Sequence, residues 1–318
     1  MKRLLGAALL ATLSHVQPAT AAYPDKPVRV IVPYQAGQGT DVAARFLAER
    51  LTVSLGQAFI VENHPGAEGN IGASYAARAT PDGYTILMGT NATNLLNQFL
   101  YGSLTFNPEK DFDPVILVSS FPMVLLAPPK SPYRNLADLL KAVRAKPDKV
   151  DVAMPSTTAR LVLELLKKQT STHISGIPYK GSGTAMTDLI GGQVAIGIDT
   201  ISAARGLIDS GKLKPLAVTS LKSSALLPGV PAVAEEGVKG FQVIAWTAVY
   251  VPHGAPPAVV NTLNGELSKI LKQPDVQKRL LELGHEPAGG TPGDLASFAQ
   301  AERRKWAPLI DEAGLKVD

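Results

Sequence analysis

Four short segments of this chain collect glycines, hydroxyls and amides where a small ligand could be held. The first is Pro33-Tyr34-Gln35-Ala36-Gly37-Gln38-Gly39-Thr40-Asp41, which follows an apolar run and precedes a helical pattern. Its glycines let backbone approach a ligand closely. The helix that follows offers unpaired N–H groups and a partial positive charge, which suit a carboxylate. The plainer reading is that Thr40 or Asp41 caps the helix. The second segment is Gly89-Thr90-Asn91-Ala92-Thr93-Asn94, uncharged and read equally well as a capped turn. The third is Met154-Pro155-Ser156-Thr157-Thr158-Ala159-Arg160, and the fourth Tyr179-Lys180-Gly181-Ser182-Gly183-Thr184. Asp199 directly follows the apolar run 194–198 and is taken with them. Arg160 and Lys180 could each pair with a carboxylate, although a lone Lys or Arg is more often a solvated surface charge.

Signatures of catalysis are poor. The histidines His15, His64, His173, His253 and His285 are scattered, with no H-E-x-x-H, and no G-x-S-x-G nucleophile elbow occurs. Gly206 to Leu213 approaches a phosphate loop but lacks the final Ser/Thr and runs from a helix into a strand, the wrong order. Gly37-Gln38-Gly39 does not complete G-x-G-x-x-G, because Val42 takes the last place. With no cysteine there is no disulfide and no thiolate metal site. These residues point to capture without chemistry and without a cofactor. The competing reading, a periplasmic hydrolase, needs a coupled nucleophile and base beside the ligand, and no histidine lies in the four segments.

Short apolar runs alternating with helical spacing must position these loops. Strands are expected at 28–33, 59–62 and 84–88, with helices at 41–55 and 72–79 between them. This βαβαβ order implies a parallel sheet. The rhythm repeats after Pro129: helices at 136–145, 161–169 and 184–190, strands at 150–153, 174–178, 194–198 and 216–219. Helices at 257–271, 275–283 and 292–310 follow, with Trp306 placed to cover an open sheet face. In open parallel sheets ligands sit beyond the carboxyl ends of strands, where the four segments fall. Two α/β units joined by apolar stretches near 118–126 and 216–246 predict a chain that crosses twice between two lobes. Residues 22–122 and 224–318 would form the first lobe and 123–223 the second, with the ligand between them.

The N-terminus reads as an export signal. Lys2 and Arg3 precede the apolar stretch Leu4 to Leu13, and Ala19-Thr20-Ala21 supplies small residues for cleavage, so residues 1–21 are expected to be removed. No Cys stands there to carry a lipid. The formal net charge is +4, and losing Lys2 and Arg3 lowers it to about +2; no Lys/Arg run suggests a nucleic-acid partner. No later apolar stretch reaches membrane-spanning length. The expected product is a soluble periplasmic monomer.

Ordered segments carry a closer likeness. Residues 23–28 (Tyr-Pro-Asp-Lys-Pro-Val), 61–72 (Val-Glu-Asn-His-Pro-Gly-Ala-Glu-Gly-Asn-Ile-Gly) and 77–85 (Ala-Arg-Ala-Thr-Pro-Asp-Gly-Tyr-Thr) are joined by Pro178-Tyr179-Lys180-Gly181, Asp188-Leu189, Gly191-Gly192-Gln193-Val194 and Leu227-Pro228-Gly229-Val230-Pro231. In order and spacing they closely resemble the Bug (Bordetella uptake gene) family, the extracytoplasmic receptors of tripartite tricarboxylate transporters. The resemblance implies a type II periplasmic-binding-protein fold and a carboxylate ligand held by loop N–H groups and waters. It also implies partners among the transporter's membrane components. A sensing role, with the receptor signalling to a membrane sensor, is the alternative. Two departures face the expected cleft: Gln35-Ala36-Gly37-Gln38 replaces the family's Pro-Pro-Gly-Gly, and Met154, Ser156 and Thr158 stand where a Ser and two glycines are usual. Tyr34, Gln35, Gly37, Gln38, Gly39, Thr40, Asp41, Thr90, Asn91, Ser156, Thr157, Arg160, Tyr179, Gly181 and Asp199 are the expected ligand-contacting residues. Arg160 in particular would take a second acidic group.

Overall fold

The computed structural model describes residues 23–147, 149–312 and 314–316; the expected export signal, 1–21, lies outside them. The strands are β1 (Val28–Val32), β2 (Phe59–Asn63), β3 (Thr85–Thr90), β4 (Phe112–Ala127), β5 (Asp151–Met154), β6 (Ser175–Pro178), β7 (Ile196–Thr200), β8 (Lys214–Val218), β9 (Ile244–Pro252) and β10 (Glu286–Gly289). The helices are α1 (Gly39–Leu55), α2 (Asn70–Ala77), α3 (Asn97–Leu100), α4 (Leu136–Ala145), α5 (Thr157–Thr170), α6 (Ser182–Ile190), α7 (Ile201–Asp209), α8 (Pro257–Leu271), α9 (Pro274–Glu282) and α10 (Pro292–Glu312).

Alternating residues of β1 go to opposite faces, as strand geometry requires. Val28, Val30 and Val32 pack with Leu47 and Leu51 of α1 and Leu263 and Leu267 of α8. Ile31 faces the other way, into the cluster holding Leu87, Ala73 and Leu95. Two parallel units form as the βαβ rhythm predicts: β1 pairs with β2 and β3, and β5 with β6 and β7.

The strands that join the two parallel units run the other way. The strand order is β2-β1-β3-β9-β4-β7-β5-β6, and β4 and β9 run antiparallel to their neighbours. β4 is a single 16-residue strand. Its first part, Phe112 to Pro122, pairs with β9, and its second, from Met123, with β7 and β8. The chain therefore passes from one α/β unit to the other inside one hydrogen-bonded strand. This suits its composition, since Met123 to Ala127 are all buried and a strand covered on both faces reads as a continuous apolar run.

Candidate functional site

Helix α1 begins at Gly39, two residues ahead of the expected start, with Gln38 as an extended N-cap residue whose side chain makes no cap hydrogen bond. The predicted cap by Thr40 or Asp41 does not form. Asp41 instead turns its carboxylate back to accept from Gly37 N–H at 2.8 Å, Arg45 Nε at 3.0 Å and Asn63 Nδ2 at 2.8 Å. Burial raises the affinity of Asp41 for a proton, but these donors outweigh it and hold the acid below its ordinary value. Asp41 is thus a brace that shapes the loop. Gly37 adopts φ 85°, a left-handed conformation that glycine takes without strain. A Cβ on Gly39 would run into Ser202 Oγ, so glycine is what lets the loop lie against the start of α7.

Gln38, Gly39 and Thr40 form one wall of a cavity of about 550 Å³, its open mouth included. Thr90, Asn91 and Ala92 form a second wall, the last belonging to a π-helical turn over Ala92–Leu96. Tyr34 OH is 2.8 Å from Thr90 Oγ1. Phe121 and Met123 of β4 and Ala245 and Trp246 of β9 make an apolar floor. The opposite wall carries Pro155, Ser156 and Thr158 at the start of α5, Ser182 of α6, and Asp199 and Thr200 at the end of β7. Among the described residues no Lys, Arg or His lines the cavity.

Two acids mark the α5 side. Asp199 is buried; its Oδ1 accepts from Ser182 Oγ at 3.1 Å and Thr200 N–H at 2.7 Å, while its Oδ2 has no partner. Burial pushes its pKa up to about 6 against those two hydrogen bonds. Glu68, in a turn before α2, reaches the N-terminus of α5 and accepts from Thr157 N–H at 3.0 Å and Thr157 Oγ1 at 3.3 Å. Burial raises its pKa, opposed by the Thr157 hydrogen bonds and the Arg160 charge. Glu68 also holds a left-handed backbone, φ 54°, which is uncommon for a residue with a Cβ.

The expected residues separate into three groups. Tyr34, Gln38, Gly39, Thr40, Thr90, Asn91, Ser156 and Asp199 line the cavity. Gln35 and Tyr179 border an adjoining outer cavity with Glu68, Tyr101 and Lys180. Gly37, Asp41, Thr157, Arg160 and Gly181 lie in neither wall. A Cβ on Gly181 would sit 3.1 Å from Gln35 Oε1 and from Gln38 Nε2, so the two departing glutamines close over this glycine. Arg160 sits in the first turn of α5 and lines neither cavity. Met154 does not fill the cleft either; it packs beneath Gly176 of β6. Sequence reasoning missed Phe121, Met123 and Trp246, whose apolar types signal core and ligand floor alike. It also missed Glu68, hidden in a Gly-rich turn.

A Ser–His pair does exist, directly behind the cavity wall: the His285 ring packs edge-on against Phe121, 4.5 Å between centroids, and its Nε2 lies beside Gly39. Ser119 Oγ lies 2.9 Å from His285 Nδ1, and both residues are fully buried. Burial lowers the His285 pKa to about 4, leaving a neutral ring. Neither residue reaches the cavity.

Residues 43–315 match the family described as "Tripartite tricarboxylate transporter family receptor". The chain belongs to this family of receptors. Among curated relatives, Protein BugT of Bordetella pertussis is 36% identical over 323 residues, covering 100% of this chain and 99% of that protein. Among solved structures, an R. palustris protein with adipate superposes with a TM-score of 0.90 at 34% identity, covering 93% of this chain and 100% of the other. MatC from Rhodopseudomonas palustris with bound malate gives 0.83 at 33% identity, covering 91% and 100%. The expected two-lobed periplasmic-binding-protein fold is therefore the one this chain adopts, and this receptor is a solute-binding protein rather than an enzyme. Among the described residues no group of three His, Cys, Asp or Glu is placed to hold a metal ion, and no helix is long and apolar enough to cross a membrane.

Proposed function

We propose that the protein is a periplasmic receptor that captures a small carboxylate between its lobes and presents it, as a monomer, to the membrane components of a tripartite tricarboxylate transporter. The observation that carries this reading is the N-terminus of α1, which its N-cap residue Gln38 leaves without a side-chain cap, opening into a cavity that no basic side chain of the described residues lines. A carboxylate there meets the first-turn N–H groups and the positive end of the helix dipole, which together hold an anion without a cation. Ordered water can complete its hydrogen bonds. Adipate and malate, bound by the two R. palustris relatives, belong to the same chemical class.

In this reading residues 22–122 and 224–318 form one lobe and 123–223 the other, supported by the change of β4 partners between Pro122 and Met123. Residues 1–21 direct export and are removed. The test is mass spectrometry of the small molecules released when protein purified from its native compartment is denatured. A stoichiometric organic acid supports the proposal, and a stoichiometric neutral sugar or cation refutes it.

A further inference from the structure

Four helices begin at the cavity wall; α6 and α7 start beside Asp199, which accepts from Ser182 Oγ and Thr200 N–H, while the N-termini of the other two, α1 and α5, are treated differently. That of α1 has no side-chain cap from Gln38. That of α5 is filled twice: Ser156 Oγ accepts from Ala159 N–H at 3.2 Å, and the Glu68 carboxylate from Thr157 N–H at 3.0 Å. Glu68 comes from the far side of the cleft to do this, from a turn whose backbone it holds in a left-handed conformation. Its backbone carbonyl accepts from Asn97 Nδ2 at 3.0 Å, and Asn97 Oδ1 accepts from Thr157 Oγ1 at 3.2 Å, so the turn, α3 and α5 form one network. A non-glycine residue persists in such a conformation only where its surroundings over-determine it.

Two further groups show what the rest of the cavity lacks. Asp199 Oδ2 and Trp246 Nε1 belong to cavity-lining residues, are buried, and have no hydrogen-bond partner. A buried polar atom left unpaired is costly, and a ligand relieves that cost. Asp199 asks for a donor and Trp246 for an acceptor.

Resting on the carboxylate reading, we propose that Glu68 is a specificity residue. Its carboxylate occupies the anion-accepting end of α5, so the site admits a monocarboxylate whose far end is a hydrogen-bond donor, a hydroxyl or an ammonium, received by Asp199, and turns diacids away. A diacid must bring its second charge toward Asp199 and Glu68 with no basic side chain in the cavity to balance it, or displace Glu68 from α5. Like charges brought together in a dry site disfavour one another.

Calorimetric titration of two matched series tests the proposal: butyrate, γ-hydroxybutyrate, γ-aminobutyrate and succinate, then hexanoate, ε-hydroxyhexanoate, ε-aminohexanoate and adipate. Wild-type protein should bind the donor-tipped acids about tenfold or more tighter than the diacid of equal length, the worth of one charge-assisted hydrogen bond. Glu68→Gly, which suits the left-handed backbone and so keeps the turn, should free the end of α5 and tighten diacids about tenfold while leaving the donor-tipped acids nearly unmoved. Asp199→Asn should remove most of the preference for the ammonium-tipped acid. Diacids bound by wild type as tightly as hydroxy acids would overturn the proposal. So would a Glu68→Gly change equal for both classes. If no acid of either series binds, the carboxylate reading itself falls and this proposal with it.

Discussion

Asn91 Nδ2 donates to Thr158 Oγ1 across 3.0 Å, joining the end of β3 to the first turn of α5 over the top of the cavity. With the Glu68–Thr157 bonds it makes a seam between the two halves. A seam of a few hydrogen bonds, each worth about 1 kcal/mol net, is weak enough to open and close thermally. Ligand is expected to bias this motion toward closure about the β4 and β9 strands. Small-angle scattering should show a smaller radius of gyration on saturation with a confirmed ligand, and Asn91→Ala should enlarge the radius of the ligand-free protein. An unchanged radius in both comparisons would count against hinge closure.

Trp246 Nε1 tests whether the floor does more than fill space. Trp246→Phe keeps most of the apolar surface and removes the donor. We expect ligand affinity to fall about three- to tenfold, the worth of one neutral hydrogen bond, with thermal stability nearly kept. Unchanged affinity would make the indole a packing element alone.

Gly39→Val introduces a branched side chain where a Cβ already meets Ser202. Binding should drop below detection in calorimetry, because the first turn of α1 can no longer hold its place against α7. Arg160→Ala should change affinity for any acid by less than about threefold, as a side chain outside the cavity walls should. A selective loss of diacid binding in Arg160→Ala would restore the role expected from sequence.

Two buried groups give opposing pH dependences. Asp199, raised by burial from 3.8 to about 6, keeps a proton in the folded state that the unfolded chain has lost. Its contribution to stability is full below about pH 4 and is lost as pH rises to 6. His285, lowered by burial from 6.5 to about 4, stays neutral where the unfolded chain is protonated. Its contribution is lost as pH falls from 6.5 to 4. At about 1.4 kcal/mol per pKa unit each effect is worth roughly 3 kcal/mol, and the two nearly cancel in wild type. Urea unfolding across this range should show Asp199→Asn gaining stability relative to wild type as pH rises, and His285→Asn losing it. Parallel curves for all three proteins would contradict both assignments.

The strands and most long helices were legible because burial on a sheet face imposes apolar runs that a sequence shows directly, as in Val28 to Val32. The segment from Asn91 to Leu100 was not. Thr93 and Asn94 read equally well as part of a capped turn, yet they and Asn97 are buried within a π-helical turn and α3. Asn97 bonds partners distant in sequence, the Glu68 carbonyl and Thr157, and no local pattern encodes that. Arg160 lines neither cavity for a related reason: a loop at a helix start fixes which residues are near the cavity, not which way the next turn faces. The first loop was legible at Gly37 and Gly39, where the backbone itself requires glycine, and misleading at Asp41, whose carboxylate braces the loop instead of capping α1.

The central claim is that the N-terminus of α1 holds a carboxylate in a cavity without a basic side chain. Calorimetric titration of each acid in the two series against its primary amide isolates that charge from shape and apolar surface. The account predicts that the acid binds at least about tenfold tighter than its amide, the difference between an ionic and a neutral acceptor at the same donors. Amides that bind as tightly as their acids would contradict it.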